Sequence, residues 1–394
     1  MDMIKDKPKI AIVLDEMSVG GIPVSCISFL KELCLHSKVT MFLCNTQGEF
    51  TDQIPTSAKI EAHPFSSLSS VVKELLREKR LFSALSLAFN VGLCGKIGKH
   101  WVKSTTRLCK AMGKISDEEF DCVIAYHGMN IRQLTRTLYQ FNAKKKIAWI
   151  HGDHPFLGKH RKDAERVYQE FDHIFCVSEE TKKRFVKDFP SVKEKTRVYY
   201  NHLPVSEIVE KANIPIGEVF AKDKTCLLTV GRISPEKGQD MIPRVMKILL
   251  NKNLNVHWYI VGDGADRERI EKLVEQENLR EYITLLGNKT NPYPYMKSCD
   301  VYVQPSYTEG YALTIFETAL FEKPIIATDV GGARELLKDG EDILFVQPTA
   351  DSIANGIERM LLEEGLKEKI LNNLRGRDFS NAQEIEKIMN VIEK

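Results

Sequence analysis

Two glutamates eight residues apart frame the most suggestive loop of the chain. The segment Ser306-Tyr-Thr-Glu309-Gly310-Tyr311-Ala312-Leu313-Thr314 leaves an apolar run, passes a glycine turn and opens a helical pattern over Ile315 to Phe321, with Glu317 inside it. The first N–H groups of a helix lack intrahelical partners, and the helix dipole adds positive potential there. Backbone N–H groups at 312 to 314 therefore suit a diphosphate. Two carboxylates beside an anion site are out of place unless they bind something else, such as sugar hydroxyls. The complementary charge comes from Gly231-Arg232-Ile-Ser-Pro235-Glu-Lys237-Gly238, which again follows an apolar run. Arg offers a planar fork and Lys a compact charge, and both suit phosphate oxygens. Alone, such a pair is ordinary surface decoration. Behind a buried strand and beside the glutamate loop it is more specific.

Histidines close several loops of the first half. His151 ends the run Ile147 to Ile150, and His127 and His154 also end strands or loops. A histidine at a strand end is more often a hydrogen-bonded loop residue than a catalyst. His151 and His154 with Asp153 hint at a metal, yet the sequence places no third ligand. The chain contains no Asp-x-Asp. Gly262-x-Gly264 runs on to Arg267 where a dinucleotide fingerprint needs glycine, which weakens an oxidoreductase reading.

These loops need rigid elements behind them. Ile10–Leu14, Val39–Leu43, Asp121–Ala125, Lys146–Ile150 and His173–Val177 are short apolar runs separated by amphipathic stretches. A second series follows: Thr225–Val230, Val256–Val261, Asp300–Val303 and Pro324–Ala327. Continuous apolar strands alternating with helices imply parallel sheets covered on both faces. The fold class is thus α/β, with two doubly wound arrays and a helix-poor break between about Pro204 and Asp223. Ligands of such folds sit at the carboxyl ends of the strands, and a cleft between two arrays is the expected site.

At 394 residues the chain is long enough for two domains, and 56 Lys+Arg against 54 Asp+Glu gives no global pull toward nucleic acid. Leu81 to Gly95, the longest uncharged run, is too short to span a bilayer. No secretory signal is legible at the start, and nine cysteines without a Cys-x-x-Cys pair suggest reduced thiols and a cytoplasmic setting. One segment departs from neutrality. Residues 71 to 116 hold ten Lys/Arg against Glu74 and Glu78, a local +8 in a chain of +2. With the apolar block from Leu81 to Leu93 and Trp101, it reads as a membrane-surface element or a cradle for an anionic lipid. A helical pair packed on the first sheet with a solvated basic face is the plainer alternative.

The second half resembles the retaining glycosyltransferases of the family-4 group, which have the GT-B fold of two Rossmann-like domains and use nucleotide sugars. The carrying motifs are Val230–Gly238, Ile260-Val-Gly-Asp-Gly264, Ser298–Ser306, the Glu309 and Glu317 pair, Thr328–Gly332 and Glu335. The likeness continues more loosely through Gly20-Gly21, Trp149-Ile-His151, Val177-Ser178 and Asn201. It implies an acceptor-binding domain over 1–207, a nucleotide-sugar domain over 208–380, and a helix over 381–394 that crosses back. Arg232 and Lys237 would hold the diphosphate, Glu309 the donor-sugar hydroxyls and Glu317 the ribose. Backbone at Gly310, Tyr311, Ala312, Leu313 and Thr314 would meet the phosphates, which Gly21 would approach from the first domain. Gly287 and Asn288 would lie by the nucleobase. His151 would be the catalytic-site histidine, with Glu309, Arg232 and Lys237 the other catalytic candidates.

Where many relatives carry Glu-Gly-Phe-Gly this chain has Glu309-Gly-Tyr-Ala312; alanine keeps the N–H, and a negative φ there leaves phosphate binding intact. No metal or cofactor is expected, since two cations and a helix terminus can replace a metal. The implied activity is hexosyl transfer, with a UDP-sugar as the expected donor. The implied acceptor is a saccharide, lipid-linked, at the inner face of the membrane in capsule or exopolysaccharide synthesis. A nucleotide-sugar epimerase of the same architecture and a non-catalytic nucleotide-sugar-binding subunit are the alternatives.

Overall fold

The computed structural model describes residues 7–18, 20–63, 68–77, 84, 85, 88, 101–152 and 160–393. The chain forms two compact units: residues up to Asn201 with those from Ala382 onward, and His202–Asn381. The change of unit therefore falls six residues before the boundary read from sequence.

The first unit is built on a seven-stranded sheet. Its strands are β1 (Lys9–Leu14), β2 (Lys38–Leu43), β3 (Lys59–Ala62), β4 (Glu119–Ala125), β5 (Asn142–Ile150), β6 (His173–Cys176) and β7 (Thr196–Val198). They lie in the order β3-β2-β1-β4-β5-β6-β7. All neighbours are parallel, with Ile12 of β1 opposite Met41 on one side and Ile124 on the other. Ile10 to Leu14 and Ile147 to Ile150 are buried, because helices cover both faces and leave no polar side for alternation. Strand order reverses between β1 and β4, so their carboxyl-end loops diverge there.

The second unit repeats the plan with six strands: β8 (Thr225–Val230), β9 (Val256–Val261), β10 (Ile283–Gly287), β11 (Val301–Gln304), β12 (Ile325–Thr328) and β13 (Leu344–Val346). Their order is β10-β9-β8-β11-β12-β13, all parallel. The switch point falls between β8 and β11, the two strands whose loops carry Lys237 and Glu309.

Two readings of the connecting segment need correction. The stretch after Pro204 is not helix-poor at its start, because Val205–Lys211 is helical, helped by a Glu207–Lys211 pair at 2.7 Å one turn apart. The last helix begins at Ile385 rather than Asn381, after a short turn of 3-10 helix at Ala382–Glu384.

The basic segment lies partly outside the described residues, Lys79, Arg80, Lys96 and Lys99 among them. Its described helices, Leu68–Arg77 and Trp101–Ala111, share a small core of Val71, Ala84 and Leu108. Trp101–Ala111 packs on the helix Ile131–Tyr139, with Thr135 donating to Cys109 Sγ at 3.2 Å. Lys103 pairs with Asp163 at 3.4 Å and Lys110 stands 4.4 Å above the Tyr139 ring, so part of the local charge is used inside the unit. Trp101 is partly exposed, with its ring 5.9 Å from that of His160. No helix among the described residues is long and apolar enough to cross a membrane.

Candidate functional site

In the second unit β8 and β11 are hydrogen-bonded neighbours, so the loops from their carboxyl ends emerge side by side. Gly238 sits at φ +66°, and a Cβ there would lie 2.0 Å from the Pro305 carbonyl oxygen. Only glycine lets the two loop backbones touch in this way. From the next loop Gly331, at φ +75°, presses on Glu309, leaving a Cβ only 2.7 Å from that of the glutamate. Two glycines thus clamp the base of the Glu309 loop.

The clamp holds a buried polar network. Glu309 Oε1 accepts from Lys237 Nζ at 2.7 Å, Gln304 Nε2 at 2.8 Å and Ser306 Oγ at 2.6 Å. Oε2 accepts from Lys237 at 2.8 Å. Gln304 is itself oriented, its Oε1 accepting from the Tyr302 hydroxyl at 2.7 Å and from Thr314 Oγ1 at 3.3 Å. Thr328 Oγ1 donates to the Ser306 carbonyl at 2.5 Å. Glu309 keeps 9% of its surface, whereas the Lys237 side chain keeps 24%. The lysine is thus the member of the pair that reaches outward. A charge pair so nearly buried is retained by charge-assisted bonds that satisfy both partners.

Arg232 stands apart from this pair. It is largely exposed and bonded to Glu236 at 3.0 Å, one turn along its own loop, while Gln239 Nε2 fixes its carbonyl at 2.9 Å. Glu317, on the helix Leu313–Ala319, is buried and receives the Tyr293 hydroxyl at 3.3 Å. Burial pushes its carboxyl up to about 7. Gly287 closes β10 at φ +71°, its carbonyl accepting from Gly262 N at 2.9 Å, and Asn288 is exposed beside it.

In the first unit His151 follows β5. Its ring lies 4.8 Å from that of Tyr126 and 6.4 Å from that of Trp149. The Tyr126 backbone receives one ring nitrogen, while Nε2 is buried with no partner among the described residues. Nδ1 is then the protonated nitrogen and Nε2 a bare acceptor. Burial holds His151 down at about 3, so the ring is neutral near pH 7. Burial likewise lowers His127, whose backbone N–H donates to Gln133 Oε1 at 3.1 Å. His154 and Asp153 lie outside the described residues, and no group of three metal-ligating side chains occurs among those described. A Cβ on Gly21, the first residue of the helix Gly21–His36, would meet nothing within 4 Å.

Residues 210–377 match the family model of glycosyl transferases group 1. That match lies within the second unit and covers less than half of the chain. An uncharacterized glycosyltransferase of Methanocaldococcus jannaschii is 30% identical over 174 residues, 43% of this chain and 43% of that protein. The N-acetylgalactosamine-N,N'-diacetylbacillosaminyl-diphospho-undecaprenol 4-alpha-N-acetylgalactosaminyltransferase of Campylobacter jejuni is 28% identical over 213 residues, 54% of this chain and 56% of that protein. The matches thus span about half the length of the curated relatives. Among solved structures, Anabaena HepE in complex with UDP and glucose matches with a TM-score of 0.73 at 17% identity, over 98% of this chain and 99% of that one. The fold is the GT-B fold expected from the resemblance.

The condition placed on the turn before the helix Leu313–Ala319 is not met. Ala312 does not take a negative φ; it sits at φ 59° and ψ 54°, left-handed, as the residue that begins the helix Leu313–Ala319. The turn from Gly310 into the helix needs that path, which glycine follows freely and alanine follows at a cost of about 1 kcal/mol. The backbone route is therefore the one a glycine would trace, and the N–H at 312 is kept.

The structure brings Lys237 and Glu309 into contact and places Gly310 beside Gly332, whose N–H reaches its carbonyl at 3.3 Å. It does not bring Arg232 into the Glu309 network. Sequence reasoning missed Gln304 and Ser306, which bind Glu309 directly, and Tyr293, which binds Glu317. Gln304 and Ser306 did carry a signal, being polar residues at the very end of an apolar strand. Tyr293 carried none.

Proposed function

We propose that the chain is a retaining, metal-independent hexosyltransferase that uses a UDP-sugar and acts on a lipid-linked saccharide in cell-surface polysaccharide synthesis. The observation that carries the reading is the Lys237–Glu309 pair. A carboxylate locked by Gln304 and Ser306 can sort sugar hydroxyls by position, and a lysine fixed against it can turn its remaining protons toward a diphosphate. As the bond from C1 to the diphosphate breaks, its electron pair moves onto the leaving phosphate oxygen. Lys237 and Arg232 stabilise the charge that builds there. The acceptor oxygen bonds to C1 on the face the phosphate is leaving, and its proton passes to the departing phosphate oxygen. Same-face attack keeps the anomeric configuration. Glu317 takes the ribose hydroxyls, and the neutral Nε2 of His151 accepts a hydroxyl of the donor sugar. These roles need no metal, because two side-chain cations meet the phosphate charge.

The acceptor class rests on two supports. The name of the Campylobacter relative describes an acceptor on diphospho-undecaprenol. The basic segment 71–116 offers positive charge and Trp101 for an anionic membrane surface at the cytoplasmic face.

One assay tests these points together. Labelled UDP-hexoses are offered with acceptors in anionic vesicles, with soluble saccharides, and with EDTA, for the wild type, Lys237→Ala and Glu309→Ala. Transfer into the lipid fraction, insensitive to EDTA and with the donor's anomer by NMR, is expected, with at least about a hundredfold loss in both variants. An inverted anomer removes the retaining claim. Transfer only to soluble saccharides removes the lipid-linked acceptor, and an altered sugar nucleotide without acceptor favours the epimerase. Wild-type turnover in both variants defeats the site.

A further inference from the structure

The stretch just before the chain leaves the second unit is fastened to that unit at alternate residues. Arg377 forms an ion pair with buried Asp342 and donates to the Leu336 carbonyl at 2.6 Å. Phe379 is buried with its ring 6.1 Å from that of Phe316. Asn381 donates from Nδ2 to the Tyr311 hydroxyl at 2.8 Å. Period-two anchoring is what an extended segment lying on a surface produces. Between the anchors, the Ser380 carbonyl accepts from Leu203 N at 3.0 Å, joining the outgoing and returning passages of the chain.

The last anchor differs in kind. Phe379 and Arg377 grip the core of the unit, whereas Asn381 grips the donor loop. Tyr311 is buried, its ring stacked on Phe316 at 4.8 Å, and it stands between Gly310 and the left-handed Ala312. Its hydroxyl points out of that apolar seat to the amide. Asn381 holds a left-handed backbone at φ +53°, a conformation asparagine tolerates better than most residues. That backbone directs a side chain toward the loop from the last residue of the unit.

We propose that Asn381 is a positioning residue for the nucleotide diphosphate, acting through the Tyr311 hydroxyl. The tether sets the path of the backbone from Gly310 to Thr314 from the point where the chain passes out of the second unit. Binding of the diphosphate orders the loop and, through the amide, the returning segment. The inference rests on the donor site described above.

The full chain is titrated calorimetrically with UDP, GDP and ADP. The tightest of the three is then titrated into Tyr311→Phe, Asn381→Gly, the double variant and Asn381→Asp. Phenylalanine keeps the stack on Phe316, and glycine keeps the left-handed backbone, so both variants remove the bond while retaining the fold. Each single variant is expected to bind about five- to tenfold more weakly, and the double variant no more weakly than either. Asn381→Asp, whose carboxylate accepts from the tyrosine hydroxyl, restores affinity. Amide exchange over 378–382 slows on binding in the wild type and not in Tyr311→Phe. Losses that multiply in the double variant, or singles that bind like the wild type, overturn the tether. If the wild type binds none of the three nucleotides, the donor site itself is misread and the tether falls with it.

Discussion

Glu317 is a carboxyl whose charge the fold resists. It is buried on the helix Leu313–Ala319 and accepts a hydrogen bond from Tyr293, itself pushed up by burial and by this carboxylate. A group that titrates at about 7 when folded and near 4.5 when unfolded keeps its proton longer in the native state. Native stability is then highest below the unfolded value and declines as pH rises toward 7, by on the order of 3 kcal/mol. Glu317→Gln removes that decline. Without nucleotide, the variant and wild type are expected to melt alike at pH ~4, with the variant melting progressively higher up to pH ~8. A constant difference across that range refutes the assignment. Under the proposed function the same substitution weakens nucleotide binding at pH 8, since ribose hydroxyls donate better to a carboxylate than to an amide oxygen.

At the scale of elements, the start of the Leu313–Ala319 helix stores a cost that a single change can remove. Ala312→Gly relieves the left-handed alanine, while the freer unfolded chain and a lost methyl offset part of the gain. A net stabilisation of about 0.5–1 kcal/mol is expected, read as a rise of about 1–3 °C in melting temperature. A fall would mean that burial of the methyl outweighs the backbone strain. The same scale shows what the sequence could and could not say about the fold. Every interior strand was legible, because burial on both faces writes an unbroken apolar run. The four that escaped are β3, β7, β10 and β13, all of them sheet edges. Lys59-Ile-Glu-Ala and Thr196-Arg-Val carry polar side chains that an edge exposed to water tolerates, and three-residue strands hold too little pattern to read. The site follows the same logic. Charged residues in strand-end loops were visible, but their partners were not: that Arg232 turns to Glu236, and that Gly238 meets Pro305, are contacts between loop residues that no spacing encodes.

At the scale of the whole molecule, the chain starts in one unit, builds the other and ends back in the first. The final segment is therefore a structural part of the first unit, although 180 residues of the second precede it. Ile385, Ile388 and Val391 are buried there, about 2 kcal/mol each at most. Buried Glu384 accepts from the backbone N–H of Tyr200 at 2.9 Å and from Lys387 at 2.7 Å, and Ser37 reaches Met389 Sδ at 3.7 Å. Tyr200 follows Tyr199, whose ring packs 4.5 Å from Trp149 and 5.8 Å from Phe29 in the core of the first sheet. Ending the chain after Asn381 should thus loosen the first unit from Tyr199 inward while sparing the unit from which the segment emerges. Hydrogen exchange measures this directly. Amides of β1, β5 and the helix Gly21–His36 are expected to exchange at least about a hundredfold faster, a loss of roughly 3 kcal/mol or more, with those of β8, β9 and β11 unchanged. Equal acceleration in both sets would show that the segment stabilises the molecule as one cooperative body, and no acceleration in either that its buried side chains contribute little.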